Sequence, residues 1–491
     1  MNTKVLKTNK NKLFRRNKIM KTTKVLLAFV LALFLSLGSI IPVLAGPVIQ
    51  DNGKEESLPA AIAKILKMPI GVDTPNTTFE FVITKISYDD DTSNEAKDKM
   101  PNLGPNDNGI IKIPFDRESY WKLGSALTND ADVKYAIVES ANIFAGTDFN
   151  QAGIYVYEIS EKNITFTNTD LEKIEFSQAV YELYVYVKQA ADGSYYIYGL
   201  YTVLIKSDSG GLIDNGPKAD PTPKDPEYNG GDCSGLAFTN TYTKKNGGGS
   251  DPEDPAGPDP ETDESSMYVS KAITGDFSRP DVYFSYEMKF INNSLVTANY
   301  DFIAYILNVD EKGVATLVNA ADLKDVAKNN VSGTVTGNEI KVNSSDTLTF
   351  SLKANQRIAF FGMHIGSSYT LKENSATGYT PKVAVTYYDA GVNAMTTKVG
   401  IEAENAAIMI PNNTAGTNIS GPLYIGETGN KAEFLNKRDS ITPTGLNLND
   451  LPFIGMIVIA IAGVTGFIAY KILKNKKSKN SNDDYEANYN H

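Results

Sequence analysis

Apolar and polar residues alternate with period two through much of residues 58–438, and at six places a residue that belongs in water falls on the apolar side. In the stretch Ala61 to Lys67, alternation puts Lys64 on one face with Ile62 and Leu66, and Lys271 shares a face with Met267, Val269 and Ile273. Tyr155, Tyr157 and Ile159 lead to Glu161, and Tyr369 and Leu371 lead to Glu373. Leu236, Phe238, Asn240 and Tyr242 form a third inward set, matched by Ala432, Phe434 and Asn436. The order lysine, glutamate, asparagine therefore occurs twice. An unpaired buried charge costs several kcal/mol, so a fold keeps such groups only if they neutralise, pair or react.

The 491 residues are too many for one ordinary core, and the two ends account for part of the excess. Residues 1–24 are basic and polar, Val25 to Leu44 is an uncharged apolar run, and Val43-Leu44-Ala45 before Gly46 fits a small-residue cleavage site. Residues 1–45 thus read as a secretory signal, with an uncleaved anchor as the alternative and Met1 or Met20 as the start. Near the other end, residues 451–470 form an apolar span of membrane-crossing length, followed by a basic tail over residues 471–491 with Lys471, Lys474, Lys476, Lys477 and Lys479. Positive charge marks the cytoplasmic side, so the expectation is an exported middle tethered to the membrane by a C-terminal helix.

Although both ends are basic, the net charge is -11, so the exported part is strongly acidic and nucleic acid is excluded as a partner. Cys233 is the single cysteine, which rules out an intramolecular disulfide. His364 is the only histidine of the exported part, leaving almost no material for Ser-His-Asp or Cys-His catalysis or a zinc site. Asp89-Asp90-Asp91 reads as a solvated turn, Trp121 as packing, and Asn163 and Asn330 only as chance Asn-x-Ser/Thr triplets. No cofactor and no metal are expected.

Between the ends the pattern is all-β. Residues 46–245 hold short runs rich in Tyr, Val, Ile, Thr and Phe, with a hairpin predicted about Asp192-Gly193 and a long Pro, Gly and Asp-rich insertion at 207–235. An acidic proline-rich linker, 246–266, reads as an extended spacer, and a second β-rich stretch fills 267–438 with strands including Val282 to Phe290, Thr347 to Leu352, Ile358 to Met363 and Lys382 to Tyr388. Helix is minor, predicted near Ala320 to Val326 and Asp170 to Lys173. The fold class is two β-sandwich domains in tandem.

Desolvation of a lysine, a glutamate and an asparagine brought together in such interiors favours the neutral amine and the protonated carboxyl. A neutral amine attacks the carboxamide carbon, the carboxyl relays the proton, ammonia leaves and an amide joins the two side chains. This is a single-turnover event and not enzymatic catalysis. Lys67, on the opposite face with Ala63 and Ile65, is the alternative to Lys64, and Glu158 the less favoured alternative to Glu161.

The residues Lys64-Ile65-Leu66, Thr78-Phe79-Glu80-Phe81, Tyr155-x-Tyr157-x-Ile159-x-Glu161 and Phe238-Thr239-Asn240-Thr241-Tyr242 resemble the pilin isopeptide linkage domain of streptococcal-type major pilins. Tyr268-Val269-Ser270-Lys271-Ala272, Thr274-Gly275, Tyr369-Thr370-Leu371-Lys372-Glu373 and Phe434-Leu435-Asn436 are similar to the B-type (CnaB-like) repeat of collagen adhesins. The resemblance implies immunoglobulin-like sandwiches in which the first-strand lysine bonds the last-strand asparagine, helped by the glutamate.

Sorting substrates of Gram-positive bacteria carry Leu-Pro-x-Thr-Gly before an apolar span. Within the spacer 439–450 this chain has Ile441-Thr442-Pro443-Thr444-Gly445, which lacks a residue between Pro443 and Thr444, while Leu451-Pro452-Phe453-Ile454-Gly455 keeps the spacing but not the threonine. Thr444 and Gly445 flank the expected cleavage, with a simple membrane tether as the alternative. The sequence thus points to a structural or adhesive surface protein whose partners are a sortase and other surface or pilus subunits, or, for a monomeric adhesin, a host or matrix ligand. No pilin-type Tyr-Pro-Lys acceptor motif is present.

Overall fold

The computed structural model describes residues 48–49, 54–104, 108–119, 121–123, 130–162, 166–224, 232–246, 264–412, 419–439 and scattered positions between 461 and 471. Numbered in chain order, the principal strands of the first β region are β1 (Ala63–Pro69), β2 (Thr77–Tyr88), β3 (Ile110–Phe115), β4 (Val133–Glu139), β5 (Gly153–Lys162), β6 (Glu172–Glu175), β7 (Val180–Gln189), β8 (Tyr195–Lys206) and β9 (Ala237–Asn246). Those of the second are β10 (Met267–Thr274), β11 (Phe284–Ile291), β12 (Asp301–Val309), β13 (Thr347–Leu352), β14 (Gln356–Phe361), β15 (Met363–His364), β16 (Ser368–Glu373), β17 (Thr380–Asp389), β18 (Leu423–Tyr424) and β19 (Lys431–Lys437). Among the described residues, helix is confined to α1 (Asn94–Asp98), α2 (Ala320–Leu323) and scattered positions from Ile461 to Lys471. The protein is nearly all β.

In the first region β8-β7-β5-β2-β3 form an antiparallel sheet, and β9-β1-β4 a second, with β6 on the outer side of β9. The first and last strands, β1 and β9, are parallel neighbours. Aromatic and β-branched side chains at alternate positions bury one face of each strand, so that Phe79, Phe81, Tyr155, Tyr157, Ile159, Leu183, Leu236 and Phe238 share one core. The second region repeats the arrangement: β12-β14-β10-β19-β17 form one half, β18-β16-β11-β13 the other, and β10 and β19 are parallel. The halves join at a single pairing of Tyr388 with Tyr424, so the sheet curls around its own core. Strand β11 shows the rule plainly: Phe284, Tyr286, Met288 and Phe290 are buried and the residues between them are not.

The predicted hairpin is present, with Gly193 in the left-handed region at φ 90° closing the loop between β7 and β8. The predicted helix near residue 320 is short, covering Ala320–Leu323. The helix expected at Asp170 to Lys173 is a misassignment, since Glu172–Glu175 is strand β6, paired antiparallel with β9, and its Ile174 is buried. A segment that short has no helical preference strong enough to compete with an available ladder.

The insertion at 207–235 is bound to the sandwich over its described part. Lys218 and Ala219 pair with β8, and Ser234 Oγ donates to Ala61 O at 2.6 Å. Residues 247–263 of the linker lie outside the described residues, but its flanks touch: Ser266 Oγ donates to Asn246 O, and Gly362 N donates to the same carbonyl at 3.1 Å. The two β regions are therefore in direct contact and not spaced apart. β15 pairs with the end of β9, Ile365 enters the first core, and Glu427 accepts from Lys244 Nζ at 2.7 Å and from Asp73 N at 2.9 Å. Gly366, at φ 77°, lets the backbones approach, because a Cβ there would stand 2.5 Å from Pro69 Cβ.

Residues 1–45, expected to be a signal peptide, all of the expected spacer 439–450 beyond Asp439, including Thr444 and Gly445, and most of the expected span 451–470 lie outside the described residues. Among those described, no helix is long and apolar enough to cross a membrane.

Candidate functional site: two buried lysine, glutamate and asparagine triads

Lys64 on β1 points between the sheets, where its side chain is 0% exposed, and meets Glu161 from β5 of the facing sheet, 1% exposed. Lys64 Nζ donates to Glu161 Oε2 at 2.8 Å, and Asn240 Nδ2, from β9, donates to Glu161 Oε1 at 2.8 Å. In the second region Lys271 on β10, Glu373 on β16 and Asn436 on β19 come together from the corresponding strands. Lys271 Nζ donates to Glu373 Oε1 at 2.7 Å and Asn436 Nδ2 donates to that same oxygen at 2.5 Å. All six sequence-predicted residues are thus brought together, three to a core.

Register accounts for the match. Across the parallel ladders Lys64 stands opposite Phe238 and Lys271 opposite Phe434, so in each case the asparagine lies two residues further along the last strand. Each glutamate faces an aromatic across its own antiparallel ladder, Glu161 opposite Phe81 and Glu373 opposite Tyr286. Phe79 lies 4.7 Å from Lys64 Nζ and Phe284 lies 3.9 Å from Lys271 Nζ, measured to the ring centres. Phe81 packs on Phe238 at 4.9 Å and Tyr286 on Phe434 at 5.1 Å. The triads sit in walls of rings that exclude water.

Burial has the expected electrostatic effect. Desolvation pulls the Lys64 ammonium down to about 8 against the opposing pull of Glu161, and pulls Lys271 down to about 8 against Glu373. Burial likewise raises the Glu373 carboxyl, outweighing Lys271 beside it. In the second triad the two shifts together favour an uncharged amine next to an uncharged carboxyl.

The first site has additional parts that the sequence did not signal. Ser177 N donates to Asn240 Oδ1 at 2.6 Å, and Asp208 holds this turn by accepting from Ser177 Oγ at 2.5 Å and from Thr239 N at 3.0 Å. A backbone N–H on the carboxamide oxygen draws charge from the carbon that an amine would attack. Asp208 lies in the insertion, whose composition carries no period from which its position could be read.

The alternatives fall elsewhere. Lys67 is half-buried on the other face of β1, opposite Thr241, and Glu158 lies on the outer face of its sheet, opposite Glu182. Cys233 is buried, and burial pushes its thiol up to about 12. His364 packs edge-on against Tyr300 at the junction of the two regions, and burial pulls it down to about 4. The acidic turn is tied by backbone N–H groups, with Asp89 accepting from Ile154 N of β5 and Asp91 from Ser93 N within the turn. The Trp121 side chain and Asn163 lie outside the described residues.

Residues 265–438 match a family described as a domain of unknown function, DUF7601. No curated protein matches the chain. Similar solved structures include the major pilin from Streptococcus pyogenes, 14% identical over 78% of this chain and 100% of that one with a TM-score of 0.28. A second Streptococcus pyogenes major pilin, T-13, is 15% identical over 80% of this chain and 100% of that one, with a TM-score of 0.25. The pilus-presented adhesin Cpa is 11% identical over 53% of this chain and 36% of that one, with a TM-score of 0.19.

Proposed function

We propose that this chain is a self-crosslinking structural subunit of a Gram-positive-type cell surface, a pilin-like or fibrous protein in which Lys64 bonds Asn240 and Lys271 bonds Asn436. The observation that carries the reading is the double occurrence of a buried amine and a buried carboxamide hydrogen-bonded to one carboxyl. A structural ion pair needs no asparagine, and replacing such a pair by apolar residues is commonly neutral or stabilising. The chemistry explains why all three are kept.

In each domain the neutral lysine attacks the asparagine Cγ. The Nζ–Cγ bond forms, the Cγ–Nδ2 bond breaks, and the glutamate carries a proton from Nζ to Nδ2, so that ammonia leaves. Glu161 and Glu373 are the shuttles and are regenerated unchanged. The bond ties the first strand to the last. By the chain-entropy account of cross-links, closing a loop of about 170 residues stabilises by about 5 kcal/mol. Tension entering near the first strand and leaving near the last then runs through covalent bonds, which suits a fibre without disulfides.

Anchoring follows from the same reading: export through residues 1–45, retention by 451–470, and sortase transfer at Thr444 and Gly445. Intact mass of the full chain, synthesised without processing, tests the crosslinks, each of which removes one ammonia, about 17 Da. The full calculated mass would refute them. Boiled detergent extracts of the native cells separate the fibre from a monomeric adhesin, the first giving a high-mass ladder and the second one band.

A further inference from the structure

The two triads differ in how the carboxyl is used. Glu161 offers one oxygen to each nitrogen, Oε2 to Lys64 and Oε1 to Asn240. Glu373 receives both nitrogens on Oε1, which leaves Oε2 buried without a hydrogen-bond partner. The residue across the ladder differs in step with this. It is Phe81 beside Glu161 and Tyr286 beside Glu373. The Tyr286 hydroxyl is itself buried without a partner, and its ring is fixed by stacking on Phe350 at 5.1 Å and by the edge contact with Phe434. A donor and an acceptor, neither of them in a formed hydrogen bond, thus belong to residues paired in one ladder, close enough that the carboxyl adds to the rise burial imposes on the Tyr286 hydroxyl and the hydroxyl pulls the Glu373 carboxyl down against burial.

We infer that Tyr286 is a positioning residue for the second crosslink, its hydroxyl donating to Glu373 Oε2 so that the carboxyl works through Oε1 alone. With Oε2 occupied as an acceptor, the acidic proton resides on Oε1, the atom beside both Lys271 Nζ and Asn436 Nδ2. Transfer from one nitrogen to the other then needs no rotation of the carboxyl. The first domain needs no such hydroxyl, because Glu161 already has a nitrogen on each oxygen. The inference rests on the crosslink reading and deepens it.

The test is a time course of ammonia loss in freshly synthesised full-length chain, comparing wild type with Tyr286→Phe by intact mass and by peptide mapping of each domain. Phenylalanine is what the first domain carries at the congruent position, and a melting curve checks that the variant folds. The expected result is an unchanged first crosslink and a second that forms more slowly by on the order of tenfold, the usual weight of one hydrogen bond to a charged group. Because the hydroxyl favours the ionised carboxyl, its removal should also move the alkaline limb of the second reaction to higher pH, which a packing defect would not do. Equal rates and equal pH profiles in the two proteins overturn the inference while leaving the crosslinks in place. A wild-type chain that never loses the second ammonia overturns the crosslink reading itself.

Discussion

Lys271 stands directly opposite Phe434 in the parallel ladder that joins the first and last strands of its domain, as Lys64 stands opposite Phe238 in the other. Parallel pairing of terminal strands puts the asparagine two residues on, a diagonal step that long side chains span. Two domains with little sequence in common therefore hold their lysine, glutamate and asparagine in one arrangement.

Glu161→Ala should restore about 17 Da to the first domain and Glu373→Ala the same mass to the second, each without affecting the other. Each variant should also be destabilised by about 3 to 5 kcal/mol beyond the lost bond, because a buried lysine is left without its partner. Peptide mass mapping and denaturant unfolding of the two variants measure these effects.

Bond formation should accelerate with pH up to about 8, where the Lys64 and Lys271 amines become neutral, and the early time course of ammonia loss between pH 6 and 8 checks this. Stability moves the same way in Asn240→Ala, which cannot form the first bond. The lysine binds its proton less tightly in the folded than in the unfolded chain, so between about 8 and the ordinary value of 10.5 the unfolded state holds more protons and unfolding free energy rises with pH. A flat or falling profile in urea unfolding would contradict the burial of a free amine.

Lys67→Ala and Glu158→Ala should leave both mass losses intact, since Lys67 is on the far face of β1 and Glu158 on the outer face of β5. Stability should change by less than about 0.5 to 1 kcal/mol, as for ordinary surface positions. Loss of the first mass change in either variant would reassign the site.

Gly366→Val should undock the two domains, because the added Cβ meets Pro69 and the backbone is held at φ 77°. A cost of about 1 to 3 kcal/mol is expected from the strained conformation. Small-angle scattering should show a larger radius of gyration, and the mass losses should persist, since neither triad draws on the junction.

The alternation that makes Tyr155, Tyr157, Ile159 and Glu161 share a face is a property of one strand and was readable from its residues. So were the hairpin at Gly193 and the all-β character, which rest on turn chemistry and β-branched or aromatic content. The helix expected at Asp170 to Lys173 gives way to the strand Glu172–Glu175 because the pairing partner, β9, lies some seventy residues further along the chain. The acidic linker gave no sign that Asn246 and Ser266 touch. Contact between its flanks depends on how two finished domains dock.

The sequence by itself determined which residues turn inward, because side-chain direction in a strand follows from period two and needs no knowledge of what lies opposite. Only the tertiary structure decided what each inward residue meets: that Glu161 and Glu373 reach across from the facing layer, that Ser177 and Asp208 back Asn240, and that Tyr286 faces Glu373 where Phe81 faces Glu161. Those meetings join positions far apart along the chain, and they are set by the packing of one sheet on another and by ladder register, neither of which any single strand encodes.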